Sequence, residues 1–213
     1  ARQGADVLLQ EEPLRFQTRK QVGLLGGNFN PVHLAHLVMA DQVQNQLGLD
    51  KVYLMPTYLP PHVDEKKTIS SEHRLAMLEL AVADNPCLDI EPIELIRKGK
   101  SYTYDTMKAL KEANPDTDYY FIIGGDMVEY LPKWHRIDDL LHLVQFVGIR
   151  RPNYPTESTY PIIWVDVPQM AISSTLIRQK VKSGCSTRYL LPENVINYIQ
   201  EKGLYQDELD NKL

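Results

Sequence analysis

Apolar positions along this chain come in two rhythms. Short runs rich in Val, Ile, Leu, Phe and Tyr stand at Val22–Leu25, Val52–Met55, Leu88–Ile93, Tyr119–Ile123, Phe146–Ile149 and Ile162–Val165, and they read as strands. Between them lie segments with helical spacing, at His33–Leu47, Ser71–Ala83, Tyr104–Ala113, Ile137–Leu143, Ser174–Lys182 and Glu193–Lys202. The second helix shows the period through Leu75, Leu78 and Val82. The last begins after Pro192, ends at Gly203 and turns Val195 and Ile199 inward. Strands alternating with helices predict an α/β fold: a Rossmann-like, doubly wound, mostly parallel sheet. A small C-terminal helical addition is expected after Val165. The polar, proline-containing segment from Pro56 to Ser70 is too long for a tight turn and reads as a functional loop.

The first strand runs into GLLGGNFNPVHLAHL, Gly23 to Leu37. A strand that ends in glycines before a helix brings backbone N–H groups close to a phosphate. His33 and His36 stand three apart, so they share a helix face and can both point at that phosphate. A second strand, YYFIIGGD, ends the same way at Gly124-Gly125 and is followed by Asp126. In open α/β sheets, ligands lie at the carboxyl ends of strands where the winding reverses. One glycine pair would only start a tight turn. Two pairs, one joined to histidines and one to an Asp, favour a nucleotide site. Zinc is the rival reading of the histidines, but there is no Glu in the H-E-x-x-H position and no third ligand nearby.

Length and charge narrow the classes. The 213 residues suffice for one domain with a real core, expected over 21–213, with residues 1–20 as a leader or surface flap. A net charge of −5 argues against a duplex nucleic-acid binder but not against a local anion site. Cys87 and Cys185 form no metal pattern and read as free thiols of a reducing cytosol. No apolar run approaches the roughly 20 residues of a membrane span, and the charged N-terminus lacks a signal-peptide core. A cytoplasmic protein without membrane attachment is expected; a homodimer is left open.

GGNFNPVHLAH is similar to the G-G-x-F-D-P-x-H-x-G-H signature of the nucleotidyltransferase α/β phosphodiesterase superfamily. ISSTLIR, Ile172 to Arg178, resembles that superfamily's second signature, I-S-S-T-x-I-R. Within the superfamily the chain most resembles the bacterial nicotinate-nucleotide adenylyltransferases, through MPTYLPPH, KSYTYDT, FIIGGDM, LPKWH, RRPNYP and LLPENVINYI. The resemblance extends from Gln21 to Tyr205. Two departures stand out: the usual Asp of the first turn is Asn30, and the usual Gly between the histidines is Ala35.

The resemblance implies adenylyl transfer from ATP to nicotinate mononucleotide, giving deamido-NAD and pyrophosphate, with Mg²⁺ travelling with the triphosphate. It implies that His33, His36 and Arg178 serve the chemistry. It places ATP against Gly26, Gly27, Asn28, Phe29, His62, Gly124, Asp126, Ile172, Ser173, Ser174 and Arg178. It places the mononucleotide against Thr57, Tyr102, Thr103, Trp134, His135 and Arg151, with Trp134 stacked on the pyridine ring. Backbone N–H groups near Thr103 and His135 would read its carboxylate. Each residue also has a plainer reading. Ser173 and Ser174 can be a helix cap, Trp134 a core residue, His62, Lys66 and Lys67 solvated loop residues, and Asp126 an N-cap. A sibling enzyme acting on nicotinamide mononucleotide or another mononucleotide, and a non-catalytic nucleotide sensor, remain as alternatives.

Overall fold

The computed structural model describes residues 19–58, 69–99 and 101–206. Its centre is a 6-stranded parallel sheet, spatial order β3-β2-β1-β4-β5-β6. The strands are β1 (Lys20–Gly27), β2 (Lys51–Pro56), β3 (Leu88–Ile90), β4 (Thr117–Gly124), β5 (Val144–Ile149) and β6 (Ile162–Val165). Each pair is parallel, with Leu25 beside both Leu54 and Ile122 in register. The winding reverses between β1 and β4, so their carboxyl ends flank a crevice. Both glycine pairs of the sequence end there.

Adjacent residues of each strand point to opposite faces, and both faces are apolar because both are covered. Leu25, Leu54 and Ile122 join one core with helices α1 (Leu34–Leu47), α2 (Ser71–Val82), α6 (Ser174–Lys182) and α7 (Glu193–Lys202). Leu24, Met55 and Phe121 join the other with α4 (Thr103–Ala113), a 3₁₀ helix (Gly125–Lys133) and α5 (Ile137–Leu140). α6 and α7 form the expected C-terminal addition, and Val195 and Ile199 are buried as the spacing predicts. No described helix is long and apolar enough to cross a membrane.

Differences from the sequence reading are local. β1 starts at Lys20, and Arg19 pairs with Asp118 of β4. Ile93 is not the end of β3; it opens a short helix, α3 (Ile93–Arg97), after Pro92. The 3₁₀ helix was not expected, because its Pro132 and glycine start lack α periodicity. The inner face of α2 consists of Arg74, Met77, Leu78, Ala81 and Val82, with Leu75 only half-buried. A buried arginine rotated that stripe away from a purely apolar reading.

Candidate active site

The Asn28–Pro31 turn carries β1 into α1. Phe29 takes a left-handed backbone, φ 47°, and is 1% exposed, so its ring fills the space under the turn. A Cβ on Gly27 would meet that ring at 3.3 Å, a tight approach that favours glycine at this strand end. His33 is the N-cap of α1 and His36 its third residue. Their rings stack with centroids 3.7 Å apart, and Phe29 meets His36 edge-on at 4.8 Å.

This packing sets the tautomer and charge of the pair. The His33 backbone N–H donates to His36 Nδ1 at 3.1 Å, so the neutral ring keeps its proton on Nε2. His33 Nδ1 is buried, facing the His36 N–H but without a full hydrogen bond among the described residues. Burial lowers the pKa of His33 to about 4. Burial, and then the nearness of His33, lowers that of His36 to about 3. Both rings are therefore neutral near pH 7 when nothing is bound, and both can still donate one N–H.

His36 lines a cavity of about 420 Å³ together with Gly26, Gly27, Thr57, Thr103, Gly124 and Trp134. Its walls also include Leu25, Met39, Met55, Glu94, Ser101, Phe121, Ile122, Ile123 and Met127. A second cavity, about 270 Å³, shares Ser101, Thr103 and Trp134 and adds Tyr102, Lys133 and His135. Trp134 is half-buried, edge-on to Phe121 and Phe146, and forms part of both. Tyr102 stacks on His135 with centroids 4.1 Å apart. A larger groove, about 650 Å³, runs between Leu34 and residues Gly184 to Gln200, and contains neither histidine nor either glycine pair.

The second signature docks on the first. Arg178 Nη1 donates to the Asn30 carbonyl oxygen at 2.8 Å, and Ser174 Oγ donates to that of Pro31 at 2.9 Å. Ser173 caps α6 by accepting from the Leu176 N–H. Ile172 is half-buried against the same core. The Ser174 hydroxyl and part of the Arg178 fork thus hold the turn, while the Ser173 hydroxyl caps α6. Asn30 Oδ1 accepts from the buried Tyr205 hydroxyl at 2.6 Å. A neutral amide suits that buried site, where an ionised Asp would need more compensation.

At the β4 end, a Cβ on Gly125 would come within 2.6 Å of the Ile149 carbonyl oxygen, so only glycine fits. Asp126 faces Arg151 at 3.6 Å, and Arg151 Nη1 also donates to Gln169. Asp126 therefore has an arginine partner beyond the ribose or capping roles read from sequence. Arg150 pairs outward with Asp166. His62, Lys66 and Lys67 lie outside the described residues.

Sequence reasoning missed Arg74 and Glu94. Arg74 is fully buried and donates through Nη1 to the carbonyl oxygens of Asn28 and Thr57, at 2.8 and 2.9 Å. Burial lowers its pKa from the ordinary arginine value. Asn28 Oδ1 in turn accepts from Thr57 Oγ1 at 2.6 Å. Glu94 is buried, accepts from Thr106 Oγ1 at 3.3 Å, and has its pKa raised by burial. The one available signal was a charged residue next to each apolar stripe, which reads equally as solvated.

Comparisons with known proteins agree with this architecture. The cytidylyltransferase-like family model matches residues 24–180. A protein of Streptococcus mutans named probable nicotinate-nucleotide adenylyltransferase is 62% identical over 92% of this chain and 93% of its own length. The relative of that name in Streptococcus pneumoniae is also 62% identical, with the same coverage. The chain belongs to the nicotinate-nucleotide adenylyltransferase family. The solved structure of the Plasmodium falciparum nicotinic acid mononucleotide adenylyltransferase complexed with APC shares the fold, with a TM-score of 0.72 at 18% identity. It covers 88% of this chain and 98% of the other. The same enzyme complexed with NaAD gives a TM-score of 0.71 at 19% identity.

Proposed function

We propose that this protein joins ATP and nicotinate mononucleotide into deamido-NAD and pyrophosphate. The observation that carries the reading is the stacked His33–His36 pair at the mouth of a crevice between two glycine-ended strands, which continues to Trp134. In this reading a phosphate oxygen of the mononucleotide attacks the α-phosphorus of ATP in line. The bond to the leaving pyrophosphate breaks as the new P–O bond forms. The attacking oxygen is already anionic near neutral pH, so no side chain need act as a base or become covalently modified. What the protein supplies is positioning and stabilisation of the charge that builds on the phosphates. His36, neutral and protonated on Nε2, is a donor to those oxygens that brings no charge of its own into the site.

The pyridine ring would stack on Trp134, and N–H groups at the start of α4 and near His135 would receive its carboxylate. Such donors favour an acid over an amide, whose NH₂ cannot accept. No cluster of three or more His, Cys, Asp or Glu that could hold a metal occurs among the described residues. The ion assigned to this reaction is Mg²⁺, which travels with the triphosphate. When bound, the ion would neutralise charge on the transferring and leaving phosphates.

Pyrophosphate release from ATP, measured with nicotinate mononucleotide, nicotinamide mononucleotide and phosphopantetheine, tests the reading. Clear preference for the acid is expected. Equal use of acid and amide would overturn the specificity assignment, and no release with any acceptor would overturn the transfer itself.

A further inference from the structure

We infer that Arg74 is a positioning residue for the triphosphate of ATP, acting through the Asn28–Phe29 peptide. The inference rests on the proposed placement of the phosphates at the glycine turn. Arg74 is 0% exposed, and no carboxylate pairs with it among the described residues. Removing a guanidinium from water without a counter-charge is costly, so its place must be held by the bonds it makes. Those bonds go to Asn28 O, to Thr57 O and, from Nη2 at 3.2 Å, to Ser71 Oγ.

The two carbonyls belong to the segments that leave β1 and β2, the two strand ends on one side of the crevice. One guanidinium nitrogen therefore ties both strand exits together. In a trans peptide the N–H points opposite to the C=O. Anchoring Asn28 O on a buried cation thus turns the Phe29 N–H away from the core. That N–H makes no hydrogen bond among the described residues. Arg178 cannot do the same at Asn30, because the next residue is Pro31, which has no N–H.

Two consequences follow for an anion at the turn. It meets an N–H that is fixed before it arrives, so little ordering is left to do on binding. It also feels the unneutralised charge of Arg74 one peptide away, at a site where both histidines are neutral. Of the residues placed against the mononucleotide, Arg74 holds only Thr57, and that through its backbone carbonyl; its hydrogen bonds among the described residues do not reach Trp134 or α4.

The test is steady-state pyrophosphate release by the full chain, with KM determined separately for ATP and for nicotinate mononucleotide. Arg74→Met, folded by circular dichroism, should raise the ATP KM by about tenfold or more, as expected for a lost charge-assisted bond. The mononucleotide KM should stay within about threefold. Arg74→Lys keeps the charge but not the fork, and its ATP KM should fall between the two. Ser71→Ala frees only Nη2 and should raise the ATP KM alone by about two- to fivefold. It decides the matter if Arg74→Met does not fold. Equal rises in both constants, or an unchanged ATP KM in Ser71→Ala and in folded Arg74→Met, would overturn the inference. Loss of activity in the wild type with every acceptor would instead sink the proposed function.

Discussion

Arg178 reaches back 148 residues to donate to the carbonyl oxygen of Asn30, and this bond joins the two signature segments into one structure. The remaining Nη2 braces on Thr175 Oγ1 at 3.3 Å. Arg178→Ala should therefore weaken ATP binding and also lower stability. The expected stability loss is about 1–3 kcal/mol, since the Asn30 carbonyl loses a charged partner. Thermal melting with and without ATP reads both effects. A variant with an unchanged melting temperature and a weakened mononucleotide alone would show that Arg178 serves the other end of the crevice.

His36→Ala removes the neutral Nε2–H donor without emptying a large apolar space. Turnover should fall by about 10²-fold or more, the range for losing a preorganised donor to developing charge. The fold should persist. Single-turnover kinetics on a folded variant with near-normal rate would count decisively against the role given to this ring.

The lowered pKa values of the two histidines make stability depend on pH. An unfolded histidine titrates near 6.5, whereas burial holds His33 at about 4 and His36 at about 3 in the folded chain. Between those values the unfolded chain binds protons that the folded chain refuses. Stability present above pH 6.5 is thus lost as pH falls toward 4, by up to about 1.4 kcal/mol per pH unit for each ring. Urea unfolding across pH 7 to 4 should show a shallower loss for His36→Gln than for the parent. Parallel curves would mean that His36 titrates normally.

Trp134→Ala should raise the mononucleotide KM and leave that of ATP nearly unchanged. Stacking of an aromatic ring on a heterocycle is worth roughly 1–3 kcal/mol. Trp134→Phe should recover part of the loss. The preference for acid over amide should suffer less than affinity, because backbone donors near Thr103 and His135 are proposed to read the carboxylate. Comparison of the two mononucleotides as substrates for each variant measures the difference. A large rise in the ATP KM would place the indole elsewhere in the site.

The alternation of apolar runs determined much of this protein. All six strand positions, the parallel winding and the two glycine-ended strands are legible because strand and helix periods differ, and because glycine turns have few substitutes. The histidine pair is legible for the same local reason, since a spacing of three puts both rings on one helix face. Other features needed the folded chain. Nothing in SEHRL distinguishes a solvated Arg74 from one buried beneath Asn28 and Thr57, because its carbonyl partners are distant in sequence. Nor do Ser174 and Arg178 reveal from sequence that they hold Pro31 and Asn30. The same chemical groups can bind an anion or a carbonyl. Periodicity records which residues leave water, but the partner that compensates a buried polar group is set by the tertiary packing of chain segments far apart in sequence.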